Sequence, residues 1–269
     1  MIIAVDIGGT KTLVAAADSK GKITNEIRFE TPKDYKTFIS VLADTIDKVT
    51  THDFELISVA VPGLLDRKAG KIKVLGNLPW ANKPIAKDIS DRFEHADVLI
   101  ENDANLAGLS EAHELANINQ KVLYFTFSTG IGTGYVENGV LEPSLLDAEG
   151  GQIVVNGKRW EDIASGKAIV AKYGKRASDI DDPEIWDKIT ENMAPGIIDN
   201  IAIFQPSTIV IGGGVGSYFD KFGSMLKKHI AEQIPKTVVI PTVIGAKRAE
   251  EAVIYGCIIL AKQELAHTG

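Results

Sequence analysis

"KVLYFTFSTGIGTGYVENGVL", residues 121–141, reads as an apolar strand, a turn of glycines and hydroxyls, and a second apolar stretch. The chain has used that plan once before. Residues 2–29 run strand, Gly/Thr turn "DIGGTKT", strand, turn "DSKGK", strand. Two hairpins of one plan, about 120 residues apart, imply two related α/β halves with a ligand-binding cleft between them. The boundary is expected just after Asn105. The first half is then 1–105, completed by about 253–269 in the last helix, and the second half is 106–252.

The rest of the chain alternates in the same way. Strands are expected at 2–6, 11–17, 22–29, 56–61, 97–101, 121–127, 132–137, 208–212 and 237–244. Tyr35, Phe38, Leu42, Ile46 and Val49 recur at helical spacing, which predicts a helix over 33–50. A second helix starts at Pro84, a favoured first helical position, and runs to His95. Further helices are expected at 105–116, 161–174, 184–204, 218–234 and 249–266.

Composition narrows the function classes. The 269 residues are 45% apolar and 24% charged, ordinary for a soluble globular protein. A formal charge of −7 argues against nucleic acid, whose binders carry a basic face. Cys257 is the single cysteine, so neither a disulfide framework nor a thiolate zinc cluster exists. Its apolar run, residues 252–261, is too short to span a bilayer. No signal-peptide pattern opens the chain, and a cytoplasmic protein is expected. His52, His95, His113, His229 and His267 are scattered without metal-ligand spacing. The basic run "DRKAGKIK", 66–73, reads as a solvated hairpin.

Three glycine turns follow strands: "DIGGTKT" (6–12), "STGIGTG" (128–134) and "IGGGVG" (211–216). None has P-loop spacing, and Tyr135 and Ser217 break the Gly-x-Gly-x-x-Gly pattern in the latter two. Glycine turns bring backbone N–H groups close to a ligand, so together they fit cradles for successive phosphates and a nucleoside. A single one would serve equally as a plain hairpin turn. "END", 101–103, ends a strand with two carboxylates and an amide. Asp103 there is either the cap of the following helix or a proton acceptor.

"DIGGTKT", "ENDANLAG" (101–108), "STGIGTGYVENG" (128–139) and "IVIGGGV" (209–215), in that order, resemble the ROK family of sugar kinases and repressors. The resemblance covers essentially the whole chain. It implies two actin-like (ribonuclease H-like) α/β domains and a Mg2+- and ATP-dependent phosphoryl transfer to a sugar hydroxyl, most simply glucose at its 6-hydroxyl. By the same likeness Asp6 faces the magnesium–phosphate group, through water, with Gly8, Gly9, Thr10 and Lys11 completing the first phosphate hairpin. Thr129, Gly130, Gly132 and Thr133 form the second, and Gly212, Gly213 and Gly214 pack against adenosine. Asp103 matches the catalytic Asp, with Asn102 and Gly63 on the sugar.

The sugar side departs from the family pattern. Glu149 and Glu161 fall on its two sugar-binding Glu residues, but Gln152 stands where His is usual. The cysteine cluster before the second Glu is missing, so no structural zinc is expected, and Trp160 fills the shortened loop. The likeness also implies a homodimer. It leaves open inorganic polyphosphate as donor, to which the basic run 66–73 could contribute, and fructose or an N-acetylhexosamine as acceptor. A non-catalytic sugar sensor is the alternative outside enzymes. The family's repressors carry a DNA-binding domain ahead of the first phosphate motif, which here begins at Asp6, and the retained Asp103 also opposes a dead site.

Overall fold

The computed structural model describes residues 1–51, 53–248 and 251–268; His52 and Ala249, both touched on above, lie outside these. The chain divides into two compact units, Met1–Ser110 with Glu251–Gly269, and Glu111–Glu250.

In the first unit, β1 (Ile2–Ile7) and β2 (Lys11–Ala17) form an antiparallel hairpin, continued by β3 (Ile23–Glu30). Helix α1 (Tyr35–Val49) follows, then β4 (Leu56–Val61), β5 (Leu64–Asp66), β6 (Lys71–Val74) and β7 (Ala81–Lys83). Helix α2 (Ile85–Ser90), β8 (Asp97–Asn102) and α3 (Asp103–His113) complete the run. The main sheet has the order β3-β2-β1-β4-β8, with β1, β4 and β8 parallel. β5, β6 and β7 make a separate small sheet.

The helical spacing read in α1 is its buried stripe: Tyr35, Phe38, Leu42, Ile46 and Val49 all face the core, beside Trp80. Asp34 caps it, accepting the Thr37 N–H at 2.9 Å. On the opposite face the sheet presents Ala4, Ala15, Ala17 and Ala60. Their small side chains let the C-terminal helix Ala252–Thr268 lie close, with Ile254, Cys257 and Ile258 buried on them. Cys257 is packed there, its thiol pushed up to about 12 chiefly by burial. It is a core residue and not a nucleophile.

The second unit repeats the winding. β9 (Lys121–Phe127), β10 (Ile131–Glu137) and β11 (Val140–Leu141) form the antiparallel half. A two-stranded hairpin, β12 (Val154–Val155) and β13 (Lys158–Arg159), leads into α4 (Glu161–Ala164), α5 (Gly166–Tyr173) and α6 (Pro183–Phe204). β14 (Thr208–Gly212), α7 (Gly213–Gly216), α8 (Phe219–Gln233) and β15 (Thr242–Gly245) close the unit. Its sheet runs β11-β10-β9-β14-β15, with β14 parallel to β9 and β15. The two sheets therefore share one strand order and one pattern of directions.

Three expected elements differ. The helix expected from Pro84 to His95 is α2 alone, Ile85–Ser90, with Pro84 just before it as its N-cap residue. The strand over 237–244 forms at Thr242–Gly245 only, because Pro241 lacks the N–H a ladder needs and residues 235–238 close a turn instead. The helix over 161–174 is two helices broken at Ser165, whose backbone is extended and whose hydroxyl caps α5 by accepting the Ala168 N–H.

Candidate active site

The junction of β8 and α3 carries the acid cluster of the first unit. Asn102 is the cap of α3: its Oδ1 accepts the N–H groups of Ala104 at 2.8 Å and Asn105 at 3.3 Å. Its Nδ2 donates to the Gly63 carbonyl at 3.2 Å, so one amide N–H remains for a ligand. Capping thus belongs to Asn102, and Asp103 is the first residue of the helix. Asp103 Oδ1 accepts the Ala104 N–H at 2.9 Å. Burial holds its carboxyl above the ordinary value, against the lowering effect of that N–H.

Asp6 is one residue from the end of β1 and half-buried. Burial first, then the negative charge of Asp103, push its pKa up to about 7, with Arg28 pulling the other way. The two carboxyls sense one another and resist ionising together. Beyond Asp6 the turn is held from behind. Thr31 Oγ1 donates to the Gly8 carbonyl at 2.8 Å, the Thr31 N–H to Thr10 at 2.9 Å, and Lys33 Nζ to Gly9 at 2.7 Å. Thr10 and Lys11 are exposed at its tip.

In the second unit the turn at 128–130 is a junction of three elements. The Ser128 carbonyl accepts the Gly166 N–H at 2.7 Å, and Ser128 Oγ accepts the Gly214 N–H at 3.2 Å. The break at Ser165 is what frees the Gly166 N–H to make that bond. Glu161 closes the turn, its Oε2 accepting the Ile131 N–H at 3.0 Å and lying over Gly130. A pocket of about 700 Å³ opens beside this junction, lined by Ser128, Thr129, Lys167, Arg176, Gly214 and Tyr218 among others.

Of the three glycines expected against adenosine, Gly214 lines that pocket, and a side chain built on it would meet open space. Gly212 and Gly213 turn inward. Gly213 has φ +80°, and a Cβ there would fall 2.6 Å from Ser128 Oγ and 2.8 Å from the Phe127 carbonyl. Thr133 requires a correction. β10 already begins at Ile131, so Thr133 lies within the strand, nearly fully buried, and Gly132 beside it. Its hydroxyl donates to the Ala148 carbonyl and accepts the Gly150 N–H, both at 3.1 Å. It supports the segment that carries Glu149 and does not line the turn, which is left to Thr129 and Gly130.

Glu149 and Gln152 bracket one 3-10 turn and are both exposed, with the Gln152 N–H donating to the Glu149 carbonyl at 2.9 Å. Arg159 reaches Gln152 Oε1 at 3.4 Å while pairing with Asp162. Trp160 is fully buried edge-on to Phe125 and Phe127, and its Nε1 donates to Asn192 at 3.0 Å. It anchors the short loop from which Glu161 projects.

One residue at the acid cluster escaped the sequence reading. Arg67, placed above in a solvated hairpin, turns inward and grips Glu101 with two bonds, Nε–Oε2 at 2.7 Å and Nη2–Oε1 at 2.5 Å. The signal was Glu101 itself. A charge near the end of a buried strand needs a partner, although nothing in the spacing says which one.

A model of the ROK family matches residues 2–264. The chain belongs to that family. Among the relatives of this ROK chain, a glucokinase of Thermotoga maritima is 27% identical over 98% of each protein. An N-acetyl-D-glucosamine kinase of Haemophilus influenzae is 25% identical over 97% of this chain and 99% of its own. Among solved structures, a ROK family glucokinase from Streptomyces griseus, in complex with glucose and AMPPNP, matches with a TM-score of 0.82. It is 22% identical and covers 97% of this chain and 99% of that one, which establishes the actin-like α/β fold. No helix among the described residues of this ROK chain is long and apolar enough to cross a membrane.

Proposed function

We propose that this chain, a sugar kinase, transfers the terminal phosphoryl group of ATP to the 6-hydroxyl of glucose, with Asp103 as general base. The observation that carries the reading is the β8–α3 junction. There a carboxyl of raised pKa sits beside an amide with one N–H to spare, and it senses a second carboxyl at the first glycine turn. Phosphoryl transfer asks mainly for positioning and charge stabilisation, with a carboxylate to take the attacking proton. Asp103 Oδ1 is held by Ala104, which leaves Oδ2 to accept that proton. Asn102 and the Gly63 backbone orient the sugar, and Glu149, Gln152 and Glu161 are, by the family likeness, its further hydroxyl partners. The turns at 8–11 and 128–130 bind phosphates, and the pocket beside Gly214 takes the adenosine.

Among the described residues no three His, Cys, Asp or Glu side chains converge as a metal cage. The Asp6 carboxyl would instead hold a Mg2+ through water together with the substrate phosphates, the cation offsetting the repulsion from Asp103 that helps raise its pKa. Bound there, the ion supplies positive charge against the phosphate oxygens. An N-acetylhexosamine acceptor is the second reading, favoured by the exposed Gln152, whose amide both donates and accepts. A coupled assay crossing glucose, fructose, mannose and N-acetylglucosamine with ATP and polyphosphate tests both. Glucose with ATP is expected to give the highest kcat/KM, and turnover of none of these sugars would overturn the reading.

A further inference from the structure

Of the basic residues in the run 66–73, Lys68, Lys71 and Lys73 are exposed, whereas the Arg67 side chain is only 21% accessible and its partner Glu101 5%. A buried ion pair is weak evidence for stability, since an apolar pair of similar volume serves as well or better. What the pair fixes is geometry. The guanidinium fork engages both oxygens of Glu101 and so sets the plane of that carboxylate. Glu101 Oε1 then accepts the Asn102 backbone N–H at 2.6 Å and Asn105 Nδ2 at 2.9 Å. Those two residues flank Asp103 in sequence. The segment that contains Arg67 is tied to the same place again, through the Gly63 carbonyl and Asn102 Nδ2.

We propose that Arg67 and Glu101 are positioning residues for the base: the pair brackets Asp103 from both sides and locks the 63–67 segment onto the end of β8. The assignment rests on the reading of Asp103 given above. Neither residue touches the reacting atoms. Misplacement of a reacting group by about 1 Å costs on the order of a hundredfold in rate, so loss of the tether acts on kcat.

The test uses Arg67→Met, Arg67→Lys and the double variant Arg67→Met/Glu101→Leu, each with a thermal melt, steady-state kinetics and ATP binding. Arg67→Met is expected to lower kcat about 10- to 100-fold, raise the sugar KM, and leave ATP affinity unchanged. The Lys variant keeps the charge without the fork, and the double variant removes the buried charge altogether. Both are expected to melt near wild type while kcat stays at least about tenfold low. A kcat within twofold of wild type in either well-folded variant would overturn the proposal, because a purely structural pair predicts that result. Amide exchange of Ala104 and Asn105 in the ligand-free protein supplies an arm independent of substrate. Exchange is expected to quicken about tenfold or more in the double variant, and unchanged exchange refutes the tether. If wild type turned over no hexose while exchange quickened, the base assignment would fall and the tether would stand.

Discussion

Replacing Asp103 by Asn is the sharpest test of the chemistry, because the structure separates the effects that substitution could have. Asn keeps the size of the side chain and an Oδ1 that can accept the Ala104 N–H, as Asp103 does at 2.9 Å. The cap of α3 is Asn102, so the helix start is untouched. What disappears is the proton acceptor, worth about two to four orders of magnitude in rate. The charge effect on stability has the opposite sign. A carboxyl whose folded pKa is raised holds its proton more tightly folded than unfolded. Its stabilising contribution is therefore present below the ordinary carboxylate range and is lost as pH rises through the folded pKa. The Asn variant has no such loss, and it also relieves Asp6 of the neighbour that helps raise it. At pH 8 it is expected to melt at or slightly above wild type while turning over at least a hundredfold more slowly. Single-turnover kinetics beside thermal melts measure both. A variant retaining a tenth of the wild-type rate would refute the base, and a drop of several degrees in melting temperature would refute the assignment of the cap to Asn102.

The ligand-free protein is expected to lose stability between about pH 4 and pH 7, as Asp6 moves from an ordinary 3.8 to about 7. That is about three units, or roughly 4 kcal/mol at most before solvent screening of a half-buried group. Melts across pH, with Asp6→Asn giving a visibly flatter profile, check it; parallel profiles count against the pair. Gly214→Trp projects into the open pocket and is expected to abolish ATP binding in calorimetry while the fold survives. Normal ATP affinity in that variant would move the adenosine elsewhere.

The main strands and the repeat of one hairpin plan were legible because strand periodicity and glycine turns are local, whereas the strand order and the small β5-β6-β7 sheet were not. The places of Asp6, Asn102 and Asp103 near strand ends were legible for the same reason, whereas the roles proposed for them come from the family resemblance. Side-chain direction was not legible. Thr133 and Gly213 sit in the right motifs, yet whether each faces a ligand or the interior depends on where β10 begins and on a positive φ. Arg67 was hidden more deeply. A charged residue in a charged run reads as solvated, and its partner lies 34 positions away on β8.

The alanine face of the first sheet has a consequence for the order in which the chain folds. Its strands are made first, but the helix Ala252–Thr268 that covers Ala4, Ala15, Ala17 and Ala60 is made only after the whole of Glu111–Glu250. At about 5–20 residues per second, the first unit spends roughly 7–28 s of synthesis with that face bare. The second unit is contiguous and can complete its core in the meantime. The nascent chain is therefore most exposed to aggregation and to chaperones on the surface that Cys257 will later bury. A cysteine-reactive probe that labels Cys257 in chains just completed, and not in the folded protein, would time the closing of that last helix.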